Sequence, residues 1–468
     1  MKSHRSAQKA AVHRKTGNAL FFLAMLMALC VLSLLKARCF SAPLGRSLPA
    51  ADAQEHAEME RSKGSATAAA ESEAEAAGNR AICFETSKRS DVCEAQGDIR
   101  IHGSGHTIFL DPSITDREWK TRPYCRKHDP LAMENVKEWA MRPFPGGDVP
   151  PLCTANYSVP ALVFSIGGFT GNLFHDFTDV IVPLFVSSYR FNGEVRFVIA
   201  DAKPWWVSKF ALILRRLSKY DVIDARSEEA EAVRCFPRVV VGLSFHKELG
   251  VDSSRTPTGY SAADFKAMLR EAYGLERKTA APAGDEWDIR RKPPRLLIIS
   301  RRKTRAFLNE RGMADMAASL GFDVRTAEPE SVTDLAKLAR LVNSADVMLG
   351  VHGAGLTNLV FLPAGAVLIQ VVPMGGLEWL ARDTFGRPAP EMEIEYMQYV
   401  IQEDESTLTE QYPKEHPVLK DPLAIQRQGW SAMSKIYLDN QNVRPHLGRL
   451  RNTLIEAIKH LPHARHQS

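Results

Sequence analysis

Apolar and polar positions along this chain change rhythm in a way that predicts alternating strands and helices. Pro160–Ile166 is a short apolar run with β-branched and aromatic residues, the pattern of a buried strand. It gives way to Gly167-Gly168-Phe169-Thr170-Gly171-Asn172 and then to an amphipathic stretch, Leu173–Tyr189. Strand, glycine loop and helix follow in order, with Asn172 placed to cap the helix. Val195–Ala200 and Val239–Leu243 read as further strands and Trp206–Leu217 as a helix. A second alternation has strands at Arg295–Ser300, Phe322–Thr326, Asp346–Val351 and Ala366–Val372, with helices at Met313–Leu320 and Val332–Ser344. Beyond Glu391 the pattern loosens. Ser431–Leu438 and Val443–Ile458 read as closing helices, with Trp430 as a core anchor. Near-continuous apolar strands alternating with helices predict an α/β protein of two doubly wound, parallel-sheet units facing a cleft. Ligands of such sheets sit beyond the carboxyl ends of the strands.

The amino terminus follows another pattern. Ala19–Leu35 is 17 residues without a charge, and as a helix it reaches about 26 Å, enough for a thin bilayer. Five basic residues precede it and two follow, which favours a cytoplasmic tail over residues 1–18 and a lumenal body. Lys36 and Arg38 suit a signal-peptide cleavage region poorly, so a retained single-pass type II anchor at 19–35 is expected. Residues 36–80 are rich in Ala, Glu and Ser and read as a solvated stem. The body then divides into an amino-terminal unit at 81–274, a charged linker at 275–294 broken by Pro and Gly, a carboxyl-terminal unit at 295–445 and a closing helix at 446–468.

Composition narrows the function. The 468 residues are 45% apolar and 25% charged, ordinary for a globular protein. The net charge of +5 is exceeded by the seven basic residues of the first forty, which hold no acid. The body is therefore slightly acidic, and nucleic acid is not expected as a partner. Beyond the anchor lie Cys83, Cys93, Cys125, Cys153 and Cys235. Five thiols allow at most two disulfides within the chain and leave one over. There is no CxxC, HExxH or DxD, so no metal site is expected. Asn156-Tyr157-Ser158 is a glycosylation sequon.

Three loops carry candidate chemistry. Val351-His352-Gly353-Ala354-Gly355-Leu356-Thr357-Asn358 follows a strand and opens a helical stretch. Gly353 and Gly355 would let the backbone approach a ligand, the helix start favours an anion, and His352, Thr357 and Asn358 add hydrogen bonds to phosphate oxygens. A dinucleotide site is disfavoured: Asn358 stands where a third glycine belongs, and the next strand ends in Pro373 instead of an acid. Ser300-Arg301-Arg302-Lys303-Thr304-Arg305 leaves the first strand of the same unit. Arg301 and Arg305 are placed to neutralise a diphosphate without a metal, while Arg302 and Lys303 read as a solvated face. In Gly167–Asp179, His175 and Asp179 share a helical face with Asp176 beside them, and a carboxylate-held histidine accepts a proton from a hydroxyl nucleophile. Capping and bracing of the helix start is the other reading of those residues. Glu378 is a weaker candidate for a ribose hydroxyl, and the Trp205-Trp206 pair reads as core.

The stretches GGFTGNLFHDFTD, LLIISRRKTRAFLN, GVHGAGLTNLVFLPAGAVLIQVVP and QGWSAMSKIYLDNQNVR resemble plant glycosyltransferase family 61, in particular the grass enzymes that decorate xylan with pentoses. The resemblance covers roughly residues 82–460. It implies a GT-B fold of two Rossmann-like domains, a Golgi type II membrane protein with a lumenal catalytic body, and inverting transfer from a UDP-sugar. UDP-xylose or UDP-arabinofuranose would be the donor and xylan the acceptor, with no cofactor or metal. Two alternatives stay open: a β-1,2-xylosyltransferase acting on N-glycans, and a non-catalytic UDP-binding subunit of a xylan synthase complex.

Overall fold

The computed structural model describes residues 81–144, 150–226, 232–282, 293–329 and 334–462, all within a single compact unit. The expected tail, membrane anchor and stem lie outside them. Among the described residues, no helix is long and apolar enough to cross a membrane.

Among the described residues, fifteen strands form two sheets. The first holds β1 (Ile82–Ser87), β2 (Ser90–His102), β3 (Thr107–Leu110), β4 (Trp119–Thr121), β5 (Trp139–Pro143), β6 (Ala155–Asn156), β7 (Ala161–Phe164), β8 (Arg196–Ile199), β9 (Ile223–Asp224) and β10 (Val233–Val241). Its order is β4-β5-β3-β2-β10-β7-β8-β9, with β1 paired to β2 and β6 to β10. The expectation of an all-parallel first sheet holds across β10-β7-β8-β9 and in the pairs β6–β10 and β3–β5, and fails elsewhere. Residues 82–143 build a half with antiparallel pairings that the chain's pattern did not signal. The reason is local: β2 alternates buried and half-exposed positions, carries acids and a glycine, and shifts register against β10.

The second sheet holds β11 (Arg295–Ile299), β12 (Asp323–Ala327), β13 (Val347–Val351), β14 (Val367–Val372) and β15 (Glu395–Val400), all parallel, in the order β12-β11-β13-β14-β15. Four of these strands match the apolar runs. The edge strand β15 was hidden because most of its residues are half-exposed or exposed. Strand order reverses between β11 and β13, the position at which open α/β sheets form a ligand crevice.

One apolar core runs through both sheets: Phe177 of the helical stretch after β7 meets Phe361 after β13, with ring centroids 6.1 Å apart. Residues 275–282, on the charged connection, are fastened to the second sheet. Arg277 pairs with the buried Asp346, which also accepts from the Ala281 amide at 2.7 Å and the Arg295 amide at 2.9 Å. Among the described residues, disulfides Cys83–Cys93 and Cys153–Cys235 leave Cys125 as the remaining thiol, buried. Asn156 is exposed beside β10, as a glycan acceptor must be. Trp430 is no core anchor: it is 46% exposed, and Tyr437, fully buried with its hydroxyl on the Val418 carbonyl at 2.8 Å, fills that role. Trp206 is core as expected, whereas Trp205 is 49% exposed.

Candidate active site

The loop after β7 leads into one helical stretch built of Leu173–His175, a π segment Asp176–Ile181 and Val182–Ser188. Asn172 caps it, its side chain accepting from the Phe174 amide at 3.0 Å. A π segment inside an α-helix often marks a functional position, and here it carries Asp179. The completely buried Asp179 carboxylate accepts from His175 Nδ1 at 2.9 Å, from the Tyr124 hydroxyl at 2.9 Å and from Arg126 Nε at 3.1 Å through Oδ2; through Oδ1 it accepts from Arg89 Nη2 at 3.3 Å. Burial alone would raise its pKa. Arg126, the His175 hydrogen bond and Arg89 outweigh that and bring it to about 2. An ionised carboxylate at Nδ1 requires the proton there, which leaves the Nε2 lone pair to accept another. Glu248 completes the cluster, pairing with Arg89 and accepting from Thr178 Oγ1 at 2.5 Å.

Asp176 lies next to this group but faces elsewhere. Its carboxylate accepts from Trp206 Nε1 at 2.9 Å and the Gly171 amide at 3.2 Å, with Lys209 Nζ 3.6 Å away. Burial raises its pKa, against the pull of Lys209 and the Trp206 hydrogen bond. It braces the glycine loop against the helix Pro204–Lys209 and makes no hydrogen bond with His175 among the described residues.

At the second sheet, the loops after β11 and β13 meet at the strand-order reversal. Arg305 Nη1 donates to the His352 carbonyl at 3.0 Å, and Arg301 Nε donates to the Thr304 carbonyl at 2.9 Å. Both guanidinium groups converge on Gly353, where an added methyl would lie 3.0 Å from Arg301 Nη1 and 3.1 Å from Arg305 Nη1. Gly353 also has φ +149°, so the backbone favours glycine there, and a side chain would push the two guanidinium groups aside. Gly355 answers a different need, because a methyl there would press on Ile299 of β11 at 3.1 Å; it serves packing between loop and strand.

The helical stretch opened by Gly353 is a 3-10 helix, Ala354–Phe361. Thr357 and Asn358 are fully buried in it. Asn358 Nδ2 closes onto the Gly355 carbonyl at 2.8 Å, while Thr357 Oγ1 and Asn358 Oδ1 have no hydrogen-bond partner among the described residues. His352 is 6% exposed, and burial beside Arg305 and Arg301 lowers its pKa to about 3, so its ring is neutral. Arg302 and Lys303 are exposed, as their pattern suggested. Glu378 is exposed at the start of the short helix Glu378–Ala381, beyond the carboxyl end of β14.

Aromatic rings join the two groups of residues. His175 packs edge-on to Phe174 (5.4 Å between centroids), Phe174 to Phe385 (5.7 Å) and Phe385 to His352 (5.9 Å). The structure thus brings the histidine–carboxylate pair and the double-arginine loop to neighbouring positions. Tyr124, Arg126, Arg89 and Glu248 were not found from the sequence, because they come from scattered stretches without a local motif. Gln441 was missed too. Its carbonyl accepts from the Arg305 amide at 2.7 Å, holding that residue at φ +55°.

Comparison with known proteins bears on the chain's family. Residues 173–369 match the family described as Glycosyltransferase 61. The chain is 44% identical over 387 residues to the alpha-1,3-arabinosyltransferase XAT3 of Oryza sativa subsp. japonica, covering 82% of this chain and 66% of that protein. It is 42% identical over 394 residues to the beta-1,2-xylosyltransferase XYXT1 of the same plant (80% and 83% covered). To the xylan glycosyltransferase MUCI21 of Arabidopsis thaliana it is 39% identical over 393 residues (80% and 78%). The chain spans about two thirds of the length of the rice arabinosyltransferases that it matches. With a relative at this identity covered over most of its length, and the family's sequence pattern running from the His175 helix into β14, the chain belongs to glycosyltransferase family 61.

Proposed function

We propose that this protein transfers a pentose, xylose or arabinofuranose, from a UDP-sugar to the xylose backbone of xylan with inversion at the anomeric carbon. Its two sheets act as the halves of a GT-B enzyme, residues 81–274 on the acceptor side and 295–445 on the nucleotide side. Residues 19–35 anchor it in the Golgi membrane with the body lumenal. The observation that carries the reading is the convergence of Arg301 and Arg305 on Gly353 at the strand-order reversal, one aromatic bridge away from the His175–Asp179 pair. The relatives named for arabinosyl and xylosyl transfer supply the two donor choices.

In this reading a xylan hydroxyl attacks the anomeric carbon from the side opposite UDP. The hydroxyl proton passes to Nε2 of His175 as the new C–O bond forms and the bond to the diphosphate breaks. Asp179 stabilises the imidazolium that results. Charge growing on the leaving diphosphate is met by Arg301, Arg305 and the amides at the start of Ala354–Phe361, which replaces the work of a divalent ion. Asp176 orients the loop and does not take the proton; Glu378 remains a candidate for the ribose.

The test is incubation of the protein with UDP-xylose and UDP-arabinofuranose separately, with a xylo-oligosaccharide acceptor and EDTA present. Transfer of one pentose with inverted anomeric configuration is expected. UDP binding without transfer of either sugar would favour the non-catalytic subunit instead.

A further inference from the structure

A line of hydrogen-bonded side chains crosses the last two strands of the second sheet and ends on His352. Gln398 Nε2 donates to the Tyr396 hydroxyl at 2.9 Å, and that hydroxyl donates to Gln370 Oε1 at 2.8 Å. Gln370 Nε2 then meets His352 Nδ1 at 2.7 Å. Gln370 and Gln398 are register partners on β14 and β15, and Gln370 is completely buried in a strand whose other residues are all apolar. A buried amide is costly unless both of its ends are bonded. Here each end has one specific partner.

A phenol has one proton. With Gln398 Nε2 turned to the Tyr396 oxygen, the phenol proton goes to Gln370 Oε1, and Gln370 Nε2 faces the imidazole. An amide N–H aimed at Nδ1 requires a lone pair on that nitrogen. The neutral ring then carries its proton on Nε2.

We propose that Gln370, Tyr396 and Gln398 are positioning residues that hold His352 as a neutral Nε2–H donor to a diphosphate oxygen beyond the carboxyl end of β13. The inference rests on the diphosphate reading of that edge given above. Such a donor adds a hydrogen bond beside Arg301 and Arg305 without adding a third cation. The same four residues with every amide reversed would put the proton on Nδ1 and present only an acceptor to the ligand, so the direction of the line carries the consequence.

Two measurements on the full-length chain test this. In protein labelled with ¹⁵N-histidine, long-range proton–nitrogen correlation, with His352 assigned by its loss in His352→Asn, shows the proton on Nε2. A proton on Nδ1 overturns the proposal. Calorimetry with UDP then compares wild type with Gln370→Glu, whose carboxylate only accepts and therefore draws the ring proton to Nδ1. UDP is expected to bind roughly tenfold more weakly, with a smaller loss in Tyr396→Phe, where the amide is free to turn over. Tyr396→Phe added to Gln370→Glu should cost less than it does in wild type, because both act through one ring. Unchanged UDP affinity in a folded Gln370→Glu protein with a moved proton overturns the positioning role. If wild type itself does not bind UDP, the diphosphate reading fails and the donor role falls with it, whereas the ring spectrum still decides the direction of the line.

Discussion

His175 Nδ1 lies 2.9 Å from Asp179 Oδ2, in a helix that widens to π geometry just where the pair forms. Asp179 is also the carboxylate on which Tyr124, Arg126 and Arg89 converge, so it has two duties. Asp179→Asn should lower kcat by roughly 10²–10⁴, the usual range for loss of a positioned general base. It should also destabilise the protein by about 1.5–3 kcal/mol, because two half-buried arginines lose one of their two counter-charges while Glu248 remains. His175→Ala should show the kinetic loss with much less of the stability loss. Equal unfolding midpoints for the two variants would contradict this division.

Asp176 is expected to behave in the opposite way. Asp176→Asn keeps the acceptor for Trp206 and Gly171 but gives up the charge opposite Lys209. Turnover should remain within a few-fold of wild type while stability falls by about 1–3 kcal/mol. A loss of turnover as large as that of His175→Ala, with stability intact, would return Asp176 to the chemistry.

Arginine replacements should separate along the loop. Arg305→Ala, which removes the donor to the His352 carbonyl, should raise the transition-state barrier by about 3 kcal/mol, on the order of a hundredfold in kcat. Arg302→Ala removes an exposed group paired with Glu328, and should change turnover by less than about twofold. Steady-state kinetics of the two variants side by side gives the contrast.

Acid should weaken the fold in two stages. His352 falls from 6.5 to about 3, through burial beside Arg305 and Arg301, and Asp179 falls from 3.8 to about 2. In each case the folded protein binds its proton less readily than the unfolded chain. The stability these groups contribute is complete above the unfolded values and is lost as pH falls through the folded ones, first for His352 and then for Asp179. His246, lowered to about 4 by burial and Arg255, acts in the same direction as His352. Thermal midpoints should therefore decline below pH 6.5, and His352→Gln should flatten part of that decline. A wild-type midpoint that is level from pH 6.5 to 4 would contradict the buried neutral ring.

How much of this was legible in the sequence depends on how local each feature is. The loops at 167–179, 300–305 and 352–358 each follow a buried strand, so strand periodicity and residue chemistry located them together. Sequence could not show that Arg126 and Arg89 converge on Asp179, since that meeting is made by a mixed half-sheet whose polar alternation concealed it. Nor could it show that Gly355 serves Ile299 while Gly353 serves the arginines, because the two glycines look alike in a line of text. Gln370 did leave a trace: a lone amide within VLIQVV is out of place unless something inside the protein needs it. Trp430 misled because a large aromatic suggests core by its type alone, and the chain placed Tyr437 there instead.

The most direct check is a calorimetric titration of UDP, in EDTA, into wild type and into the Arg301→Ala and Arg305→Ala proteins. The account predicts binding by wild type without a divalent ion and a clear loss in each variant. Binding that appears only when Mn²⁺ or Mg²⁺ is restored, or that is indifferent to both arginines, would contradict it.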